Sequence, residues 1–252
     1  MAHARVRIQI CGRITVEING ERRETRLPGQ QGRLLLAYAV LRRHESITRD
    51  EVTLAIWGDQ PPRAADGALA ALLSKLRRAL APISIRGLRI ELPPDGWVDL
   101  EGARAAIHRA ESALVAADHP RAWAAAQTAL FVARRGFLPD EDRPWVEQVG
   151  HELDGLRLRA LETYAEAALR LGDTELATAE RASRELVALA PYRDSAYRLL
   201  MNALAARGNY AEALRTYDQL RHRLRDDLGA DPSPDSQDLH ASMLAVRSNE
   251  PN

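Results

Sequence analysis

The sequence predicts an α+β N-terminal domain of the winged helix-turn-helix type, followed by an all-α, tetratricopeptide-like helical array. Three observations predict this division. Apolar residues alternate with polar ones over the first 27 residues, and they recur at helical spacing afterwards. After residue 99 the pattern is almost wholly helical, and its breaks recur at an interval near that of tetratricopeptide repeats. We therefore predict two domains, residues 1–98 and residues 99–252.

The first elements are two short strands and a helix. Apolar residues alternate with polar neighbours over residues 6–10 and again over residues 14–18. Asn19-Gly20 follows the second run and is a strong signal for a hairpin turn. Leucines and a tyrosine then recur at helical spacing, which predicts a first helix over about residues 30–43.

Two more helices and a hairpin complete the predicted N-terminal domain. Thr48 and Glu51 form a capping box at the start of a second helix, which Gly58 and two prolines end. A third helix is predicted over about residues 63–81. Two β-like segments follow, residues 83–85 and 89–92, with a turn at Arg86-Gly87. This order is that of a winged helix, in which the third helix enters the major groove and the hairpin contacts the backbone or minor groove.

The C-terminal part contains a repeat. The break Gly172-Asp173 recurs 36 residues later as Gly208-Asn209, and an alanine follows each glycine after five positions, Ala177 and Ala213. Such a period in helix pairs is typical of tetratricopeptide repeats, in which small residues allow close helix packing. Alanine-rich helical hairpins of another kind remain an alternative. A last helix is predicted to end near residue 246.

The net charge of zero conceals an uneven distribution along the chain. Residues 1–98 hold 16 Lys and Arg against 10 Asp and Glu, a net charge of +6, and the rest of the chain has a net charge of −6. A basic segment joined to an acidic one favours a nucleic-acid-binding domain that carries a partner domain. Chance unevenness of a charged surface is the alternative.

The third helix supplies most of the candidate DNA-binding residues. Its leucines form one buried stripe, so the other face is free to contact DNA. Arginines suit phosphate contacts, whereas Ser74 and Lys75 are candidates for base edges and Ala70 for a thymine methyl group. A solvated basic helix face is the alternative. The predicted DNA-binding residues are Arg63, Ala70, Ser74, Lys75, Arg77, Arg78, Arg86 and Arg89.

Motifs along nearly the whole chain resemble one known family. In the first part these are Cys11-Gly-Arg-Ile-Thr-Val, Gln31-Gly-Arg-Leu-Leu-Leu, Thr48-Arg-Asp-Glu-Val, Ile56-Trp-Gly-Asp-Gln-Pro-Pro and Leu73-Ser-Lys-Leu-Arg-Arg-Ala-Leu. In the second part they are Phe137-Leu-Pro, Pro144-Trp, Leu161-Glu, Ala190-Pro-Tyr-Arg, Leu200-Met, Arg207-Gly-Asn-Tyr-Ala-Glu-Ala-Leu and Leu228-Gly-Ala-Asp-Pro-Ser-Pro. The first set resembles the OmpR-type winged helix, and the second resembles the bacterial transcriptional activator domain, of SARP-type antibiotic regulatory proteins.

This resemblance implies a function. It implies a short activator without the ATPase or sensor domains of larger relatives, which binds direct repeats near a promoter in double-stranded DNA. Two copies would bind side by side as a homodimer and recruit RNA polymerase. One departure from the family pattern is that Gly67, Ala70 and Leu72 replace residues that are usually polar, and the hairpin is short. The alternative hypothesis is therefore an interaction scaffold whose winged helix has lost specific DNA binding.

The sequence predicts no catalytic site, no metal site and no cofactor. No nucleotide-binding glycine motif or zinc-protease motif occurs, and the seven histidines lack metal-ligand spacing. Asp140-Glu141-Asp142 is interpreted as a solvated turn and the single cysteine, Cys11, as a packing residue. No signal peptide or membrane span is predicted, so we expect a cytoplasmic protein. A small-molecule ligand of the helical array is possible, and the sequence names neither ligand nor operator.

Overall fold

The protein forms two compact units. The structure, a computed structural model, describes residues 5–248. The first unit comprises Met1–Gly102 and Arg135–Leu153, and the second comprises Ala103–Arg134 and Asp154–Asn252. The predicted boundary after residue 98 therefore differs from the division into compact units, because residues 135–153 pack with the N-terminal elements. A fragment ending at residue 98 would lack part of the first unit's core.

The first unit contains a four-stranded sheet. Its strands are β1 (Val6–Gln9), β2 (Thr15–Ile18), β3 (Glu21–Arg22) and β6 (Trp97–Val98), in the order β3-β2-β1-β6. Strand β1 pairs antiparallel with β2 and parallel with β6. Asn19 and Gly20 both have positive φ, as the hairpin predicted at this position requires. The sequence did not predict β3 and β6, because two-residue strands carry no alternation.

Three helices and a hairpin follow the sheet's first strands. They are α1 (Gly29–Leu41), α2 (Arg49–Trp57) and α3 (Ala65–Leu80), then β4 (Ser84–Arg86) and β5 (Arg89–Glu91). These elements match the predicted helices and hairpin, with ends shifted by one or two residues. Residues 34–40 of α1 are all buried, so α1 is the central helix of this unit. It packs against α2, α3 and β5.

Residues 135–153 complete the core of the first unit. Cys11 and Phe137 form an isolated antiparallel β-bridge, and both are buried. Trp145 lies edge-on to Tyr38 of α1, with ring centroids 5.2 Å apart, and also to Phe137 at 5.9 Å. Its indole Nε1 donates to the carbonyl oxygen of Ala55 in α2 at 3.1 Å. One side chain therefore links α1, α2 and the loop near residue 137.

The second unit is helical throughout its described residues. Its helices are α4 (Asp99–Val115), α5 (His119–Ala133), α6 (Pro144–Leu171), α7 (Leu176–Leu189), α8 (Asp194–Ala206), α9 (Tyr210–Leu228) and α10 (Pro234–Ser248), of which α4 and α6 begin in the first unit. The two predicted breaks, Gly172-Asp173 and Gly208-Asn209, fall between these helices. Helix α7 packs against α8, α8 against α9, and α10 against both α8 and α9.

Small residues make the helix contacts, as the repeat predicted, with one correction. Ala213 is fully buried in α9, three residues after that helix begins. Ala177 is exposed, however, and the buried residue in α7 is Ala179. Because a 3-10 turn over Asp173–Glu175 precedes it, α7 begins only at Leu176. Ala179, three residues after that start, is therefore the position equivalent to Ala213 in α9. The glycine-to-alanine spacing therefore did not identify the equivalent contact.

Candidate nucleic-acid interface

Helix α3 has two opposite faces. Its leucines are all buried in the first unit, namely Leu69, Leu72, Leu73, Leu76 and Leu80. The remaining surface carries the exposed residues Asp66, Gly67, Ala70, Ala71, Ser74, Lys75, Arg77 and Arg78. The spacing of the leucines produces this division, since residues three and four apart share one face of a helix. Leu72 is therefore a core residue and is unavailable for base contacts.

Polar contacts hold the first turns of α2 and α3. Thr48 caps α2, and both hydrogen bonds of the predicted capping box with Glu51 are present. The hydrogen bond from the Thr48 backbone N–H to Glu51 lowers the pKa of that carboxyl group. Arg49 at the start of α2 pairs with Asp66 at the start of α3, at 3.0 Å. Arg63 lies in the exposed segment just before α3.

The β4–β5 hairpin lies beside α3. Together with the turn between α1 and α2, they border a groove of about 480 Å³. Ala70, Leu73 and Arg77 line it from α3, and residues 86–89 line it from the hairpin. Ile85 and Ile90 are buried and anchor the hairpin, whereas Arg86 and Arg89 are exposed near its tip. Ala70 and Arg77 of the helix and Arg86 and Arg89 of the hairpin therefore border the same groove.

The predicted DNA-binding residues differ in whether their side chains already have partners within the protein. The structure gives Arg63, Ser74, Lys75 and Arg78 no hydrogen-bond or ion-pair partner for their side chains among residues 5–248. The other three arginines have partners. Arg77 donates to two carbonyl oxygens of the hairpin, Arg89 donates to the carbonyl oxygen of Arg43, and Arg86 pairs with Glu91 at 3.4 Å. The sequence did not predict these internal contacts.

The charge argument from the two halves of the sequence does not carry over to the compact units. Residues 99–102 and 135–153 add 2 basic and 7 acidic residues to the +6 of residues 1–98, which leaves the first unit with a net charge of +1. The positive charge is instead local. Residues 63–91 hold six basic side chains against two acidic ones, Asp66 and Glu91. A surface with this local charge attracts an anionic polymer.

Other kinds of site are not supported by the described residues. Within residues 5–248, no group of three or more His, Cys, Asp and Glu side chains is placed to hold a metal ion. None of the helices in that range combines the length and the hydrophobicity that a membrane span requires.

The second unit has two adjoining grooves between α7 and α9, of about 510 and 780 Å³, which share Val187, Gln219, Arg223 and Asp227.

The greater part of the chain matches the model of one protein family. Residues 98–244 match the model of the bacterial transcriptional activator domain. The chain belongs to this family. The resemblance to SARP-type regulatory proteins, predicted from its motifs, is thereby confirmed.

Individual relatives agree with this assignment. The regulatory protein AfsR of Streptomyces coelicolor is 32% identical over 248 residues, which are 95% of this chain and 24% of AfsR. The chain thus spans about a quarter of the length of that relative. The transcriptional regulatory protein MoaR1 of Mycobacterium bovis is 26% identical over 263 residues, covering 95% of this chain and 79% of MoaR1.

A solved structure has the same fold. The structure of Mycobacterium tuberculosis EmbR in complex with a low affinity phosphopeptide superimposes with a TM-score of 0.81 at 23% sequence identity. The match covers 99% of this chain and 67% of the EmbR chain. A small N-terminal sheet followed by a helical array is therefore an architecture shared with EmbR.

Proposed function

We propose that this protein is a sequence-specific DNA-binding transcriptional activator. In this proposal the first unit is a winged helix, with α3 as its recognition helix and the β4–β5 hairpin as its wing. The observation that carries the proposal is the exposed face of α3, where Ser74, Lys75 and Arg78 lie opposite a buried leucine stripe. The names of AfsR, MoaR1 and EmbR, all called regulatory proteins, support the same function.

The proposed contacts fall into two classes. Arg63, Arg78 and Arg86 bind phosphates, because guanidinium groups near the edge of a recognition surface give affinity without sequence information. Ser74 and Lys75 contact base edges in the major groove, where donors and acceptors distinguish the base pairs. Specificity then rests mainly on two side chains of α3.

Two substitutions separate these classes. Arg78→Ala should weaken binding to every duplex and reduce the slope of log affinity against log salt by about one unit, because one phosphate contact is lost. Lys75→Ala should weaken binding to the cognate duplex more than to a scrambled one, by about 1–3 kcal/mol of discrimination. Gel shifts of the full chain at several salt concentrations measure both. A duplex enriched from a random library serves as the cognate probe, and Gln148→Ala, an exposed substitution outside this face, is the control. Unchanged binding by both variants would rule out α3 as the reader.

We also propose that two copies bind direct repeats side by side, with protein contacts made by the helical array, and recruit RNA polymerase. The centres of the repeats should then lie about 10–11 base pairs apart, so that both copies meet the same face of the duplex. Adding about five base pairs should abolish joint binding by the full chain, because one copy moves to the opposite face. Gel shifts across a spacing series measure this, and equal affinity at every spacing would mean that the copies bind independently.

One observation favours a second candidate function, an interaction scaffold without specific DNA binding. Gly67, Ala70 and Ala71 leave the first half of the exposed face of α3 with one polar side chain, the acidic Asp66. Alanine can contact a thymine methyl group but makes no bidentate hydrogen bond to a base. Under this alternative, the full chain binds cognate and scrambled duplexes equally.

A further inference from the structure

The side chain of Arg77 connects α3 to the hairpin. Its Nε donates to the carbonyl oxygen of Ile85 at 3.0 Å, and its Nη2 donates to that of Gly87 at 3.0 Å. Ile85 lies in β4 and Gly87 lies at the hairpin tip. The two bonds therefore reach the hairpin at points two residues apart.

One other side chain ties the hairpin tip to the rest of the first unit, namely Arg89, whose Nε donates to the carbonyl oxygen of Arg43 at 3.2 Å. Strands β4 and β5 contain three residues each and pair only with each other. An isolated two-stranded hairpin is at best marginally stable in water. Ile85 and Ile90, its central pair of opposed residues, anchor it in the core. The bond to Gly87 extends the support to the tip, next to Arg86.

The shape of the guanidinium group suits this task. Its donors form a rigid planar fork, so Nε and Nη2 can bond two carbonyl oxygens at once. A lysine at the same position would keep the positive charge but would offer a single ammonium group. The neighbouring Arg78 is a natural comparison, since the described residues offer its side chain no hydrogen-bond or ion-pair partner.

We infer that Arg77 is a positioning residue, which holds the wing against the recognition helix, and that it is not a phosphate ligand. This inference rests on the proposed function for its consequence in DNA binding, although the contact itself does not depend on DNA. Arg77 keeps the exposed Arg86 at a fixed place relative to Ser74 and Lys75. The wing and the helix would then meet the duplex as one surface. This revises the expectation that Arg77 and Arg78 play equivalent roles.

The first test needs no DNA. Amide hydrogen exchange of residues 83–91 in the full chain should become at least about threefold faster in both Arg77→Ala and Arg77→Lys, because the tip loses its two bonds to Arg77 and keeps only the bond from Arg89 to Arg43. Arg78→Ala is the matched control and should exchange like the wild type. Exchange in α1 reports whether each variant remains folded. Unchanged exchange of the hairpin in both folded Arg77 variants would overturn the inference.

The second test measures DNA binding with the enriched duplex. Arg77→Lys should bind as weakly as Arg77→Ala, whereas Arg78→Lys should bind nearly as well as the wild type, since a phosphate contact tolerates the exchange. If Arg77→Ala and Arg86→Ala acted independently, the affinity loss of the double variant would be the product of the two single losses. Because both residues act through the wing, the measured loss should be at least about threefold smaller than that product. For the double variant of Arg78→Ala and Arg86→Ala, the affinity loss should equal the product of the two single losses. Full binding by Arg77→Lys would identify Arg77 as a phosphate ligand. If the wild type fails to bind any duplex, the proposed function fails, and the exchange experiment still decides the role of Arg77.

Discussion

Replacing Asp99 by alanine is expected to lower the free energy of unfolding of the first unit by about 3 to 5 kcal/mol. The Asp99 side chain is fully buried at the start of α4. Its Oδ1 accepts from the backbone N–H groups of Ile10 and Leu100 at 2.9 Å each, and its Oδ2 accepts from that of Cys11 at 3.1 Å. Alanine would leave these three buried donors without a partner, and a buried unsatisfied donor is costly.

The charge of Asp99 has a partner as well. Burial raises the pKa of the Asp99 carboxyl group, while the three backbone donors and Arg135, whose Nη1 lies 3.7 Å from Oδ2, act in the opposite direction. Asp99→Asn should lower the free energy of unfolding by less than Asp99→Ala does, about 1–3 kcal/mol, because the amide oxygen can still accept some of these hydrogen bonds. Some cost remains because the NH₂ group of asparagine would face a backbone N–H donor.

Urea-induced unfolding of the full chain measures both effects. Tryptophan fluorescence reports mainly on the first unit, which contains Trp57, Trp97 and Trp145. Asp95→Ala is the matched control, because Asp95 is exposed four residues earlier and its loss should change the free energy of unfolding by less than about 0.5 kcal/mol. Equal stability of the Asp99→Ala and Asp95→Ala variants would contradict the structural role given to Asp99.

Replacing Trp145 by alanine is expected to lower the same free energy of unfolding by about 3 kcal/mol. The value lies at the lower end for a tryptophan because the side chain is only partly buried. The substitution removes the edge-on contacts with Tyr38 and Phe137 and the hydrogen bond to Ala55. Trp145→Phe keeps an aromatic ring but loses the N–H donor, so it should cost about 1 kcal/mol.

Hydrogen exchange of the α1 amides measures this effect, since α1 is the central helix of the first unit. Gln148→Ala, exposed one turn later in α6, is the control and should leave exchange unchanged. The substitution also tests whether residues 135–153 belong to the N-terminal unit. If Trp145→Ala left the protection of α1 at its wild-type level, this segment would not contribute to the core around α1.

Local features of the sequence predicted most elements of the fold. The leucine spacing of α3, the capping box at Thr48 and the glycine and proline breaks each depend on residues within one or two helical turns. These signals predict the helices correctly because the contacts on which they depend are local in sequence. The exposed positions Ser74, Lys75 and Arg78 followed directly from the buried stripe.

Contacts between distant segments were not predictable in this way. Asp99 bonds Ile10 across 89 positions, and Trp145 bonds Ala55 across 90. Neither side chain carries a local signal for its partner, so the sequence predicts residues 135–153 as part of the helical array. For the same reason the sequence does not distinguish Arg77 from Arg78, since only the position of the hairpin shows that Arg77 bonds Ile85 and Gly87.

The central claim is that the exposed face of α3 reads a DNA sequence, and the specificity ratio of the unmodified full chain tests it most directly. Selection from a random duplex library should enrich a defined motif. At physiological salt the chain should bind the enriched duplex at least about 10³-fold more tightly than a scrambled duplex of equal length. Both affinities should fall as salt rises, because phosphate contacts contribute to each. Failure to enrich any motif, or equal affinity for both duplexes with the chain folded, would contradict the account and favour the scaffold.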